Sequence, residues 1–340
     1  MPAREAAPPN RYHIGVSIRP VQSHKAARRT FIVATRGSML AMTQTGMMVR
    51  QLRQKNPDAF FSILEITTSG DRSQGSTRPF SGTGVFVKAL EKALKEKRAD
   101  IAVHSLKDMP TQVASGTVLA AITRREDIRD ALITRNGKPL SKLPPGSRVG
   151  TSSPRRRAQL LAIRPDLIPI PLRGNLDTRL RKLRQGVDGL SAIIVAMAGL
   201  ARSGNGSRAT QKLSATSFMP AAGQGSLAVQ TRANDIEAIK AAAKIDHAAS
   251  RAACEAERAL LSALGAGCQA PVGAFARATR TRLALSAAVY SLDGSRNISG
   301  KIAGPVKKGP LLAQRLARKL LSRGAGRLIR AAKNGTTRPA

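Results

Sequence analysis

The 340-residue chain has no tryptophan, two tyrosines and seven phenylalanines, so aromatics make up 3% of it. Stacking platforms of the kind that hold single-stranded nucleic acid are therefore scarce, and neither a zinc-finger spacing nor an RNA-recognition signature occurs. It has two cysteines, Cys254 and Cys268, and four histidines. That is too few for a disulfide scaffold, and they are too scattered for a metal site. No apolar run is long enough to span a bilayer, so a membrane span is not expected. Acids are the other shortage: 20 Asp and Glu face 57 Lys and Arg, a formal charge of +37. Such a balance calls for an anionic partner, and a small polycarboxylate fits it without the devices that nucleic acid would require.

What is present reads as a soluble globular protein of two or three domains, 42% hydrophobic and 23% charged. Residues 1–29 are basic, with Glu5 as their only acid, and are expected to be a disordered extension; a transit peptide is the other reading. A strand is predicted at Thr30–Ala34, then a helix whose buried stripe is Leu40, Met47, Met48 and Leu52. Phe61–Thr67 reads as a strand and Thr68–Gly84 as a loose, mobile stretch. Phe86, Leu90, Ala93 and Leu94 recur at helical spacing, with Glu91 and Lys95 as a surface pair. Ile101–Val103 is a short buried strand from which residues 104–108 emerge. The pattern repeats with a strand at Arg148–Gly150, a capped helix start at Ser153 and Pro154, a strand at Leu167–Leu172, a helix over Leu176–Gln185 and a strand at Ser191–Ala196. Alternation of this kind implies parallel sheets with ligands beyond the carboxyl ends of the strands.

Beyond Pro220 the texture changes. Ala221–Gly225 reads as a flexible link, Ala248–Leu264 as an alanine-rich helix, and Ala284–Tyr290 with Arg296–Ile302 as a hairpin around Asp293 and Gly294. A basic helix from Pro310 to about Ser322 closes a small third domain, and the last residues of the chain are expected to be disordered.

Arg36, Lys107, Arg155, Arg156, Arg173 and Arg202 fall at strand ends or at the helix starts that follow, with Arg179 one turn beyond Arg173. Guanidinium forks and helix amino ends both suit carboxylates; any one of these residues alone reads rather as a solvated surface charge, and it is their shared placement at the active edge of the sheets that points to a site. Asp108 is an acid at the end of a buried strand, suited to proton transfer or to steadying a cation, or else a turn cap. Cys268 sits in a turn-forming stretch, Leu264-Gly-Ala-Gly-Cys-Gln-Ala-Pro-Val-Gly273, and is either an accessible thiol or an inert loop cysteine. Cys254, inside a helix, reads as a packing residue.

The same segments, in order, resemble the hydroxymethylbilane synthase (porphobilinogen deaminase) family. The likeness is carried by Ala34-Thr-Arg-Gly-Ser38, Phe86-Val-Lys88, Arg98-Ala-Asp-Ile-Ala-Val-His-Ser-Leu-Lys-Asp-Met-Pro110, Gly150-Thr-Ser-Ser153 with Arg155 and Arg156, Leu172-Arg-Gly-Asn175 with Thr178-Arg179, Ala196-Met-Ala-Gly-Leu200, Gly223-Gln-Gly225 and Gly267-Cys-Gln-Ala-Pro-Val-Gly273.

The resemblance implies an α/β fold of three domains. Two are like periplasmic binding proteins, with mixed, mostly parallel sheets, over residues 30–125 with 226–244 and over 126–225. The third is a small α+β C-terminal domain at 245–335. By this likeness Cys268 carries a dipyrromethane cofactor made from the enzyme's own substrate. Asp108 is the catalytic carboxylate that assists loss of ammonia from porphobilinogen and steadies the resulting azafulvenium cation. Lys107, Ser153, Arg155 and Arg156 hold the cofactor's acid arms, and Arg36, Ser38, Arg173, Arg179 and Arg202 hold those of the incoming unit. Four units are joined before water releases the linear tetrapyrrole. The family likeness further implies a cytoplasmic monomer that uses no metal, nucleic acid or membrane. Three positions depart from the family pattern: Thr83 stands where a lysine is usual, Met39 where a proline is, and Pro154 where an apolar residue is. Two other readings keep the basic residues but not the chemistry: an anion receptor that needs no Cys268, and a nucleic-acid binder using the tail from Lys307 to Arg338, for which a solvated helix face is the simpler account.

Overall fold

A computed structural model describes residues 29–66, 85–267 and 269–335. The extension before Arg29, the loose stretch with Thr83, Cys268 and the last five residues lie outside the described residues, as does the side chain of Phe86.

Two five-stranded sheets are built alike. The first takes β1 (Thr30–Arg36), β2 (Phe60–Ile66), β3 (Ile101–Ser105), β4 (Thr117–Ile122) and β10 (Leu227–Arg232) in the order β2-β1-β3-β10-β4. The second takes β5 (Asp130–Thr134), β6 (Arg148–Gly150), β7 (Ile168–Ile170), β8 (Leu190–Ala196) and β9 (Gln211–Lys212) in the order β7-β6-β8-β5-β9. In each, four strands run one way and the fourth in spatial order runs against them: β10 is antiparallel to β3 and β4, and β5 to β8 and β9. These reversed strands follow the two places where the chain crosses from one sheet to the other. Both sheets are thus mixed and mostly parallel, as the resemblance implies.

Helices cover the sheets with the faces that their apolar spacing dictates. α1 (Met39–Lys55), capped by the Ser38 hydroxyl, buries Met48, Val49 and Leu52 against Phe31 and Phe61. The rings of that phenylalanine pair stack 5.2 Å apart, an arrangement worth about 0.5–1.5 kcal/mol beyond the area it buries. α2 (Val85–Lys95) packs Leu90, Ala93 and Leu94 on the other face. α3 (Pro154–Ile163), α4 (Leu176–Gln185) and α5 (Met197–Arg202) belong to the second sheet, and α6 (Ile236–Ala243) returns to the first. The third unit sets α7 (Ala248–Ala263), α8 (Gly309–Ser322) and α9 (Ala325–Lys333) against an antiparallel sheet of β11 (Val272–Ala278), β12 (Arg282–Tyr290) and β13 (Asn297–Pro305). Among the described residues no helix is long and apolar enough to cross a membrane.

Five sequence expectations need correction. Arg29, assigned to the extension, is part of the fold: its guanidinium pairs with Asp235, Asp100 and Glu237 and lies over the Phe31 ring. Glu91 is buried rather than paired with Lys95 on the surface; Gln230 donates to it, and the exposed pair is Lys92 with Glu96. The link at 221–225 is not loose, since Ala222 to Gly225 are buried and hydrogen-bonded on both sides. Residues after Ser322 continue as α9, whose Leu328 and Ile329 complete the third core. Finally, the run Val272–Gly273, read as turn, opens the strand β11.

Candidate functional site

The site is assembled from the carboxyl ends of strands, because there the chain turns off the sheet and leaves polar groups without ladder partners. β3 ends at Ser105 and passes into a single 3₁₀ turn, Leu106–Asp108. Leu106 is buried under that turn while Lys107 remains half-buried and Asp108 exposed. β6 likewise ends at Gly150, and α3 starts after Ser153, whose hydroxyl accepts from the Arg156 N–H. Pro154 at the first helical position costs that helix nothing, as its missing N–H would have no intrahelical partner.

Lys107, Ser153 and Arg155 line one hollow together with Leu106, Met109, Arg258, Gly267, Ala270 and Val272. All three parts of the chain therefore meet there, and Gly267 is the neighbour of Cys268 in sequence. Burial pushes the Lys107 ammonium down to about 8 against the opposing pull of Asp108, with Arg156 lowering it further. Arg179, at the start of α4, donates from Nε to the Gly174 carbonyl at 2.8 Å. It too is lowered by burial, to about 10, with Arg156 adding to the effect and Asp108 opposing it. Lys107, Asp108, Arg156 and Arg179 thus lie within one another's fields.

Arg155 and Arg156 are 4% and 5% exposed and share one carboxylate, that of Asp130. Arg155 Nη1 reaches Asp130 Oδ2 at 2.7 Å, and Arg156 Nη2 reaches Oδ1 at 2.7 Å. Burial alone would raise the Asp130 carboxyl; the two guanidiniums hold it well below the usual range. Gln224 Nε2 donates to the same Oδ1 at 3.0 Å, and its Oε1 faces Lys107 Nζ at 3.5 Å. Two cations fixed by a single anion leave a positive field at the mouth of the hollow.

The remaining expected residues, Arg36, Ser38, Arg173 and Arg202, are not among the described residues that line this hollow, and each is placed by its own element. Arg36 ends β1, and Ser38 caps α1 by accepting from the Ala41 N–H at 3.3 Å. Leu40, two residues on, packs beside Gly199 of α5, which brings the start of α1 across to the second sheet. Arg202 closes α5 and donates to the Gly225 carbonyl at 2.6 Å, while its buried Nε has no partner. Arg173 is exposed in the turn before α4. Sequence reasoning missed Asp130, Gln224 as an organiser, and a third buried group, Glu257 of α7. Glu257 accepts from Arg125 at 2.6 and 3.0 Å, from the Gly223 N–H at 2.7 Å and from the Ala276 N–H at 2.7 Å. The available signal for Asp130 was an acid opening the apolar strand Ala131-Leu-Ile in a chain short of acids. Cys254 has the packing role expected of it: it is fully buried, burial raises its thiol to about 11, and Ser226 Oγ lies 3.4 Å from its sulfur.

Fold and site together define a protein with two mixed α/β lobes and a helix-and-sheet third unit, whose shared hollow is furnished to receive several carboxylates. Its residues 31–240 match the family model described as porphobilinogen deaminase, dipyromethane cofactor binding domain, and residues 251–322 match porphobilinogen deaminase, C-terminal domain. The chain belongs to the porphobilinogen deaminase family. It is 45% identical over 303 residues to a porphobilinogen deaminase of Desulforudis audaxviator, covering 89% of this chain and 97% of the relative. A porphobilinogen deaminase of Deinococcus radiodurans is 45% identical over 307 residues, 89% of this chain and 99% of the relative, and one of Nitrosomonas europaea is 43% identical over 304 residues, 89% and 98%. Among solved structures, a periplasmic aliphatic sulphonate binding protein from Escherichia coli aligns at 15% identity and a TM-score of 0.36, over 68% of this chain and 69% of that one. The enzyme is a transferase of tetrapyrrole synthesis, and its cofactor is dipyrromethane.

A dipyrromethane carries two pyrroles and hence four acid arms. An ammonium, a hydroxyl and a guanidinium facing one hollow fit such a group, since each is a donor to carboxylate.

Proposed function

We propose that the hollow between the three units is where porphobilinogen is deaminated and joined head to tail, and that Cys268 anchors the cofactor there through a thioether. The observation that carries this is the meeting of Lys107, Ser153 and Arg155 with Gly267 around one hollow, with Asp108 next along the chain. When bound, the cofactor supplies a primer with a free pyrrole carbon to which the first unit is joined.

The chain's own residues have separable tasks in this reading. Lys107, Ser153, Arg155 and Arg156 bind the cofactor's acid arms; Asp130 keeps the two guanidiniums apart and oriented. Arg36, Ser38, Arg173, Arg179 and Arg202 bind the acetate and propionate of the incoming unit. Asp108, exposed beside them, places a carboxylate where the substrate becomes an azafulvenium cation after ammonia leaves, and opposite charge at short range in a site of reduced dielectric lowers that barrier. The positive field serves the later cycles as well, because each added ring brings two carboxylates. The enzyme acts as a cytoplasmic monomer whose reaction needs neither nucleic acid nor membrane. Its domains divide at 30–125 with 226–244, 126–225, and 245–335, with Arg29 joined to the first.

Intact mass spectrometry tests the anchor. Protein made in cells that supply porphobilinogen should carry the added mass of two pyrrole units, and Cys268→Ala should lack it and be inactive. An unmodified wild-type chain would instead support the anion receptor.

A further inference from the structure

The cleft does not account for the charge at the chain's end. Asp293 is the final acid in the sequence, and twelve Lys or Arg follow it. The structure gathers part of this excess on the third unit, away from the hollow, in a groove of about 520 Å³. Arg296 from the β12–β13 turn stands on one side, Arg323 lies between the helices, and Arg327 and Arg330 come from α9. All four are exposed. The Arg323 guanidinium donates to the Ser299 carbonyl at 2.7 Å, and among the described residues no acid lines the groove. Within α9, Arg327 and Arg330 are three residues apart and so share one face, while Arg323 precedes the helix across Gly324 and lines the same groove.

Like charges held this close repel one another, which lowers stability unless something bound compensates. Guanidinium forks match phosphate oxygens in two-point geometry. The chain has no aromatic residue after Tyr290, so nothing here offers a face to an unstacked base or a ring to anchor in a bilayer interface. A concave row of arginines without aromatic anchors suits a rigid, regularly spaced line of phosphates. We propose that this groove is a docking site for the phosphodiester backbone of double-stranded nucleic acid, read without regard to base sequence and independent of the reaction in the cleft. The sequence alone favours a solvated helix face for this tail; the convergence of a β-turn arginine on the helical ones is what alters that.

The test uses the full chain and a fluorescein-labelled 20-bp duplex of random sequence, with binding followed by anisotropy over a range of salt. Each phosphate neutralised contributes about 0.9 to the slope of log affinity against log salt. Reversing three groove charges, R296E with R327E and R330E, should therefore lower the slope by about 3 and weaken binding at least about tenfold at 0.1 M salt. A control with the same change of net charge, K138E with K142E and R184E on the second lobe, should stay within about twofold of wild type if contacts rather than net charge decide. Turnover of porphobilinogen should be unaltered in both. If the reversed chain does not fold, R296Q with R327Q and R330Q must still lower the slope. The proposal is overturned if the two triples weaken equally, if wild type does not bind the duplex, if millimolar inorganic phosphate displaces the duplex completely, or if the protein binds anionic lipid vesicles but not the duplex.

Discussion

Single residues divide into those that meet ligand and those that hold them in place, and the two kinds fail differently. Asp108 is exposed at the end of the 3₁₀ turn that follows β3. Asp108→Ala should therefore melt with the wild type and lose nearly all turnover, about 10²–10⁴-fold, the range for losing one well-placed charged or proton-transferring group. Steady-state rates beside a thermal melt check it, and near-normal turnover removes the residue from its role. Asp130 is the opposite case. Asp130→Asn leaves two buried guanidiniums facing a neutral amide, a loss of about 3–5 kcal/mol for an unpaired buried charge, to be read from denaturant unfolding. Its sign with pH is fixed: the folded carboxyl is depressed, so its stabilisation is complete above the ordinary carboxylate range and is lost as pH falls toward the folded value. The variant should lack that acid limb.

Lys107 gives the pH dependence of the cleft itself. Its ammonium titrates near 8 in the folded chain against an ordinary 10.5. The unfolded chain therefore keeps this proton longer, so stability rises with pH between about 8 and 10.5, while the cleft loses a cation over the same interval. In Cys268→Ala protein, expected to lack cofactor, acylation of Lys107 followed by peptide mapping should show a midpoint near 8, well below that of ordinary lysines at about 10.4. A midpoint at the ordinary value would mean the ammonium is not buried as described. The positions of Lys107, Asp108, Arg155 and Arg156 were legible in the sequence, because an apolar strand followed by polar residues marks the edge of a sheet. Their partner Asp130 was not, since it lies 25 residues from Arg155 in sequence and meets it only through the order of strands in the second sheet.

At the scale of elements, regular pieces were read well and the connections poorly. The helix over Leu176–Gln185 has an Asn cap, a glycine at its carboxyl end and apolar residues at one spacing, and it forms as expected. The crossing at 221–225 was misread because glycine marks a permissive backbone whether the segment is mobile or buried. Here Gly225 adopts φ +95° and lies so close to the first crossing that a Cβ would fall 2.6 Å from the Glu126 carbonyl oxygen. Gly225→Ala is expected to cost about 1–3 kcal/mol in backbone strain and to shift the carbonyl that receives Arg202. Thermal unfolding checks the first effect, and a raised KM for porphobilinogen the second. The sequence pattern ends the last helix at about Ser322, whereas α9 beyond it is stabilised by the burial of Leu328 and Ile329 in the third core, a contact that local spacing does not reveal.

Across the whole molecule, the two lobes and the third unit need a joint that sets their separation, since a hollow formed by all three is only as well defined as their relative placement. Glu257 is the group that touches each. It is fully buried and takes both forks of Arg125 from the first crossing, the Gly223 N–H from the return crossing, and the Ala276 N–H from β11. Arg125 in turn donates from Nε to the Gln224 carbonyl at 2.8 Å, adjoining the residue that spans Lys107 and Asp130. Replacing the carboxylate by an amide keeps the shape but removes the charge and turns one acceptor into a donor facing two N–H donors, Arg125 and Gly223 or Ala276. Glu257→Gln should thus lose about 3–5 kcal/mol, as expected when one member of a buried ion pair is removed. Faster hydrogen exchange should appear at 223–226 and in β11, while the cores beneath α1 and α4 remain protected. If exchange rises uniformly over the chain, or not at all at the crossings, Glu257 does not set the joint, and the separation of the lobes depends instead on the packing of Leu106 beneath Gly223.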